Sequence, residues 1–369
     1  MVNKQILKIL NSSNFTEKLL RWYPLHRRDL PWRASRDPYI IWLSEIILQQ
    51  TRVAQGLPYF HAFVSRFPRI EDLAAAPEEE ILRTWQGLGY YSRARNLHAC
   101  AREIVRERGG KFPENYQSLL NLKGVGPYTA AAIASFAYKE PVAVVDGNVY
   151  RVLARYFGIS ADIASHAGKK EFQALADKLI SSERPDEYNQ AIMEFGALQC
   201  VPTNPDCGNC PLSPDCQAKN RELVGSLPHK EKKTKIRSRY FTYHHIQVAG
   251  HVVVRKRTAN DIWQGLVDFP LEEFTSLEDI ISPRPENLSV VRELAPLGPV
   301  FDQATEQPLK HLLSHQRIFA SFVKISIPEN RKSGLEKWAI ENGFQLVDGQ
   351  SLEDMGKPKL MVRYLNQIK

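Results

Sequence analysis

Residues 122–136 read LKGVGPYTAAAIASF. A Gly-Val-Gly turn stands ahead of a helix rich in small residues, and Asn115–Asn121 gives a shorter helix before it. Two helices joined through glycines leave several amide N–H groups unpaired and pointing outward. The glycines let another backbone approach closely, so Gly124, Val125 and Gly126 are candidates for holding a phosphate oxygen. A plain glycine-rich helix–helix turn accounts for the stretch equally well. It is not a P-loop, because neither a preceding strand nor the Gly-Lys-Ser/Thr ending is present.

Outward from this turn, about Asn14 to Gln217 reads as a string of short helices broken by Gly and Pro, with little strand-like alternation. LPHKEKKTKIRSR then follows as a basic linker, and FTYHHIQVAGHVVVRKRT opens a stretch of β-branched and aromatic runs. The expected architecture is an all-α region over 1–222, a linker over 223–239 and an α+β domain over 240–369. A chain of 369 residues is too long for one ordinary core, and 43% hydrophobic with 24% charged residues is ordinary for folded protein. The net charge of +8 suits a polyanionic partner without demanding one. No apolar run approaches the roughly 20 residues of a membrane helix, and MVNKQILKILNSSN is too short and too polar for a secretory signal. The expected location is the cytosol of a cell without compartments, or a nucleus or organelle otherwise. Clustered cysteines in such places bind metal more often than they form disulfides.

Four cysteines fall in CVPTNPDCGNCPLSPDC, residues 200–216, spaced C-x6-C-x2-C-x5-C. That set suits tetrahedral zinc or an iron–sulfur cluster, and spacing alone leaves both open. Cys100, at helical spacing elsewhere, reads as a buried thiol. Asp146, in VAVVDGNVYRVLARYF, is either a helix N-cap or a carboxylate placed to face a developing cation. Glu45 shares a helical stripe with Ile41, Leu48 and Arg52, which points to partial burial and a raised pKa; pairing with Arg52 is the competing reading. GLGYYSRARN, residues 87–96, interleaves Tyr90 and Tyr91 with Arg93 and Arg95, a pattern able to stack on bases and hold phosphates.

These pieces occur together and in order, from PWR at 31–33 through SEIILQQT, LGYYSRARN, LKGVGPYTA and VDGNVYRV to the cysteine loop. The sequence resembles the helix-hairpin-helix DNA glycosylases of the endonuclease III superfamily, and within it the adenine-removing MutY family. The resemblance implies a [4Fe-4S] cluster on Cys200, Cys207, Cys210 and Cys216. It implies Glu45 as general acid and Asp146 as stabiliser of the sugar cation, or as a brief nucleophile on it before water adds, with Tyr128 and Asn148 positioning the carboxylates. Trp32, Arg33 and Gln190 would line the adenine pocket. Gln50 and Tyr90 would fill the vacated stack, with Thr51 and Leu88 near the opposite base, and the Gly124–Gly126 amides would hold phosphate. Strand-cleaving members carry a lysine where this chain has Tyr128, so base release without lyase action is implied.

Residues 240–369 resemble the Nudix-like (MutT-like) C-terminal domain of the same family, through IWQGLVDFP at 262–270. The G-x5-E-x7-R-E-x2-E-E array is missing, so pyrophosphatase chemistry is not expected. The family's Phe-Ser-His loop, which reads 8-oxoguanine, becomes Leu313, Ser314 and His315 here; Val267 replaces a common aromatic. The implied partner is double-stranded DNA with A·8-oxoguanine or A·G mispairs, met by a monomer with no membrane association. The competing functions are a glycosylase for another damaged or mismatched base, a non-catalytic zinc-knuckle DNA binder and a nucleotide hydrolase.

Overall fold

The computed structural model describes residues 13–231, 236–258, 262–281, 283, 285–303 and 305–368. The opening segment read for a signal lies outside these apart from its last two residues, as do 232–235 in the middle of the basic stretch. The first part of the chain is helical, as expected: α1 Ser13–His26, α2 Pro38–Leu48, α3 Val53–Arg66, α4 Ile70–Ala75, α5 Glu78–Thr84, α6 Ser92–Arg108, α7 Tyr116–Leu119, α8 Pro127–Tyr138, α9 Gly147–Phe157, α10 His166–Leu179, α11 Pro185–Leu198 and α12 Gln217–Asn220.

Local chemistry sets the ends that matter for the site. Pro38 opens α2, and the Asp37 carboxylate accepts from the Tyr39 N–H at 2.9 Å. The helix stops at Leu48, because Gln50 adopts the left-handed region at φ 56°. Arg52 therefore leaves the stripe it was expected to share with Glu45 and stands at the N-cap position of α3, where its carbonyl accepts from the Gln55 and Gly56 N–H groups. Gly126 and Pro127 start α8, whose Ala130–Ala134 segment is buried and lets α2 pack closely against it. Asp146 is the N-cap of α9: its Oδ1 accepts from the Val149 N–H at 2.8 Å. Gly196 of α11 lies against the same turn. A Cβ there would fall 2.7 Å from the Asn148 Cβ and 2.9 Å from its carbonyl oxygen, so only glycine fits without displacement.

The chain packs as two compact units. One takes the described residues up to Ala74 and those from Ala99 to the linker; the other takes Ala75–His98 and the chain after the linker. The second unit is built on β1 Arg237–Val248, β2 His251–Lys256, β3 Val267–Asp268 and β4 Leu271–Phe274, then α13 Glu278–Ile281 and α14 Ser289–Leu294. After these come β5 Val300–Gln303, β6 Leu309–Leu312, β7 Gln316–Ser326, α15 Lys332–Glu341, β8 Gln345–Asp348, α16 Gly349–Asp354 and α17 Lys359–Ile368. β1 and β7 pair in parallel, from Arg237 opposite Gln316 to Gln247 opposite Ser326, and every other pairing of the sheet is antiparallel. The last residues of the expected linker belong to β1, where Arg239 donates to both oxygens of Glu273 at 2.9 and 2.6 Å. Val267 is buried in β3. Salt bridges from Arg83 to Asp354 and from Lys256 to Glu79 tie α5 into this unit.

Candidate active site

A cavity of about 180 Å³ opens in the helical unit, and Trp32, Arg33, Glu45, Thr51, Tyr128, Asp146, Asn148 and Gln190 all line it. Eight positions scattered over about 160 residues of sequence thus converge on one concave site.

Glu45 is 7% exposed, and burial pushes its carboxyl up to about 7. Tyr128 opposes part of that shift by donating its hydroxyl to Glu45 Oε2 at 2.6 Å. The pairing with Arg52 is overturned: Arg52 is exposed in the α2–α3 connection, and Glu45's partner is the phenol. For Asp146, burial also raises the pKa, against the Val149 N–H and the Asn148 amide, which donates to Oδ2 at 2.7 Å. Asp146 is thus both helix cap and cavity wall, so the two readings of it are compatible.

Beyond Asp146 the bonding continues. Arg151 donates to Asn148 Oδ1 at 2.9 Å, to the Gly196 carbonyl at 2.5 Å and, through Nε, to the Cys200 carbonyl at 2.7 Å. The carboxylate and the first cysteine are ends of one hydrogen-bonded chain. The four cysteines line a second, small cavity of about 30 Å³, and Cys200, Cys210 and Cys216 pack on the hydrophobic core. Arg155 donates to Cys200 Sγ at 3.5 Å and to the carbonyls of Val201 and Pro202. Burial, and then the neighbouring thiolates, push the Cys210 thiol up to about 11, which a bound cationic group would reverse. Among the described residues no group is already drawn together as a single-ion site. All four cysteines line that one cavity, as the ligands of a four-thiolate group would. Cys100 is fully buried and apart, as expected.

Other expected residues take more varied places. Val125 is buried and spends its N–H on the Leu122 carbonyl at 3.1 Å, so the phosphate assignment narrows to the Gly124 and Gly126 amides. Around Gly126 there is open space where a side chain would be. Gln50 and Tyr90 are both exposed and both left-handed, at φ 56° and 50°. Leu88 and Tyr91 are buried. Arg93 stacks over Trp85 and Tyr90, and Arg95 donates to the Gln264 carbonyl at 2.7 Å, so both help hold the fold locally. Ser314 and His315 are exposed in the β6–β7 turn, and the Tyr90 hydroxyl meets the Ser314 hydroxyl within the second unit.

Sequence reasoning missed Glu194. It is 1% exposed and accepts from the Arg28 backbone, the Arg28 guanidinium and the Arg33 guanidinium, the shortest contacts being 2.6 and 2.7 Å. Burial alone would raise its pKa, yet these donors hold it down to about 2. Arg33 is thereby fixed at the cavity wall with its terminal nitrogens already engaged. The available signal was a lone acid inside the apolar run AIMEFG, which implies a buried cationic partner.

Residues 43–181 match the family model described as HhH-GPD superfamily base excision DNA repair protein, and residues 242–367 match the NUDIX domain. An adenine DNA glycosylase of Buchnera aphidicola subsp. Baizongia pistaciae is 33% identical over 366 residues, 96% of this chain and 97% of that protein. The adenine DNA glycosylase of Homo sapiens is 44% identical over 216 residues, which cover 56% of this chain and 40% of the human protein. Among solved structures, a thermostable thymine-DNA glycosylase superimposes with a TM-score of 0.52 at 32% identity, over 56% of this chain and 95% of that one. Endonuclease III in a non-covalent DNA complex shares the fold, with a TM-score of 0.50 at 22% identity over 60% of this chain and 99% of that one. No helix of the described residues is long and apolar enough to cross a membrane.

Proposed function

The chain belongs to the adenine DNA glycosylases, and on that premise we propose that it removes adenine mispaired with 8-oxoguanine or guanine and stops at the abasic site. One observation carries the chemistry: a carboxyl with a pKa near 7 and a second, hydrogen-bonded carboxylate line the same cavity. Adenine leaves poorly as an anion. Glu45 gives its proton to N7 as the C1′–N9 bond breaks, so the base departs neutral. The sugar is left with oxocarbenium character, which ionised Asp146 stabilises until water adds at C1′ and gives up its proton, restoring Glu45 to its acid form. Tyr128 offers no amine for a Schiff base, and its phenol instead orients Glu45. Adenine reaches the cavity by leaving the stack, which a mispair makes cheaper. Trp32, Arg33 and Gln190 receive it, Gln50 and Tyr90 fill the gap, and Thr51 and Leu88 lie near the opposite base. The Gly124 and Gly126 amides take the phosphate.

The test is single-turnover cleavage of a labelled duplex with adenine opposite 8-oxoguanine, with and without alkali, against an A·T control. Cleavage at the adenine after alkali alone, and none in A·T, is the expected result. Cleavage without alkali would mean lyase action, and none at all would send the activity to another base.

The pH dependence follows from the acid. Release should fall about tenfold per pH unit above pH 7, as Glu45 loses its proton. Tyr128 stabilises the charged form, so Tyr128→Phe raises the Glu45 pKa and moves the fall to higher pH. A fall at unchanged pH would disconnect the two residues.

Exposed in the β6–β7 turn, Ser314 and His315 read the lesion's N7–H or O8. Replacing both by Ala should cut the preference for 8-oxoguanine over guanine opposite adenine, measured as a ratio of single-turnover rates, by about tenfold. An unchanged ratio would move recognition elsewhere. Cys200, Cys207, Cys210 and Cys216 hold a [4Fe-4S] cluster that organises the loop and docks DNA. Purified chain should be brown and contain iron; colourless protein with zinc would refute the cluster.

A further inference from the structure

Gln190 stands at the cavity wall on α11, and its carboxamide is held from behind. The Tyr23 hydroxyl of α1 donates to Gln190 Oε1 at 2.5 Å. Tyr23 is 3% exposed and is not among the residues lining the cavity. Its ring is itself fixed: the guanidinium groups of Arg27 and Arg33 lie 6.0 and 5.8 Å from its centroid, and Arg33 is anchored in turn by Glu194.

A glutamine amide has an acceptor end and a donor end, and nothing in its own shape decides which faces a ligand. The phenol oxygen has the Arg27 guanidinium as a donor, so its O–H is left to donate to Gln190, which consumes the amide oxygen. We infer that Tyr23 is a positioning residue that sets the polarity of the cavity wall, turning the Gln190 Nε2 donors toward the base. This rests on the proposed placing of adenine against Gln190. The consequence is selection of a base edge that presents acceptors, as adenine does at its ring nitrogens, because a wrongly oriented amide would meet that edge with its own lone pairs.

The experiment is a double-mutant cycle in the full chain. Tyr23→Phe keeps the ring and its packing and removes the donor. It should slow single-turnover adenine release about 3- to 10-fold with a melting temperature close to wild type. Gln190→Ala should slow release at least as much, and the double variant should match Gln190→Ala alone. Wild-type rates in Tyr23→Phe, or losses that multiply in the double variant, would overturn the inference. The side-chain amide resonances of Gln190, assigned by their absence in Gln190→Ala, give a readout independent of turnover. They should move toward free-glutamine positions in Tyr23→Phe, and unchanged resonances would equally overturn it. Should the wild type release no adenine, the proposed function fails while these resonances still decide the role of Tyr23.

Discussion

Glu45→Gln is expected to lower adenine release about a thousandfold or more while leaving affinity for the mispaired duplex nearly unchanged. The substitution keeps the shape of the side chain and an oxygen for the Tyr128 hydroxyl, and removes the transferable proton. Single-turnover excision and a gel-shift titration separate the two effects, and lost binding would make Glu45 structural. A second signature comes from stability. The carboxyl's pKa is raised from 4.5 to about 7 on folding, so its favourable contribution is full below about pH 4.5 and lost as pH rises through about 7. Well above pH 7 the buried charge costs on the order of 3 kcal/mol. Glu45→Gln should therefore melt at a higher temperature than wild type at alkaline pH, whereas replacing a glutamate whose charge held the fold together would lower the melting temperature there.

Asp146→Asn is expected to cost about a hundred- to a thousandfold in release rate with little change in melting temperature. Asn caps a helix about as well as Asp, so the bond from the Val149 N–H survives while the negative charge does not. Asp146→Ala should lose the activity and about 1 kcal/mol of stability as well. Equal melting losses in both variants would show that the charge, not the cap, supports the fold.

The helical region was legible because Gly and Pro mark its breaks, and Glu45's burial was legible from the apolar stripe it shares. The end of α2 was not, because Gln50 takes a left-handed backbone without the glycine that would announce it. The polar support of the cavity was also hidden. Tyr23 and Gln190, or Arg28 and Glu194, are more than 160 residues apart and meet only when α1 and α11 pack. Ala75–His98 joins the second unit through long-range contacts such as Arg83 with Asp354 and Arg95 with the Gln264 carbonyl, which no local pattern encodes. The cysteine loop and the Gly-Val-Gly turn were read from spacing, yet the inward turn of the Val125 amide needed coordinates.

Gln50 and Tyr90 hold a backbone conformation that costs non-glycine residues on the order of 1 kcal/mol or more. That expense is met once, when the chain folds. A protein that inspects a long polymer meets correct pairs at nearly every stop, and any rearrangement needed at each stop would be repeated there. On the proposed reading, in which Gln50 and Tyr90 enter the vacated stack, neither backbone has to rearrange at each stop, so each visit can be brief and dwell time is left to depend on whether the pair yields.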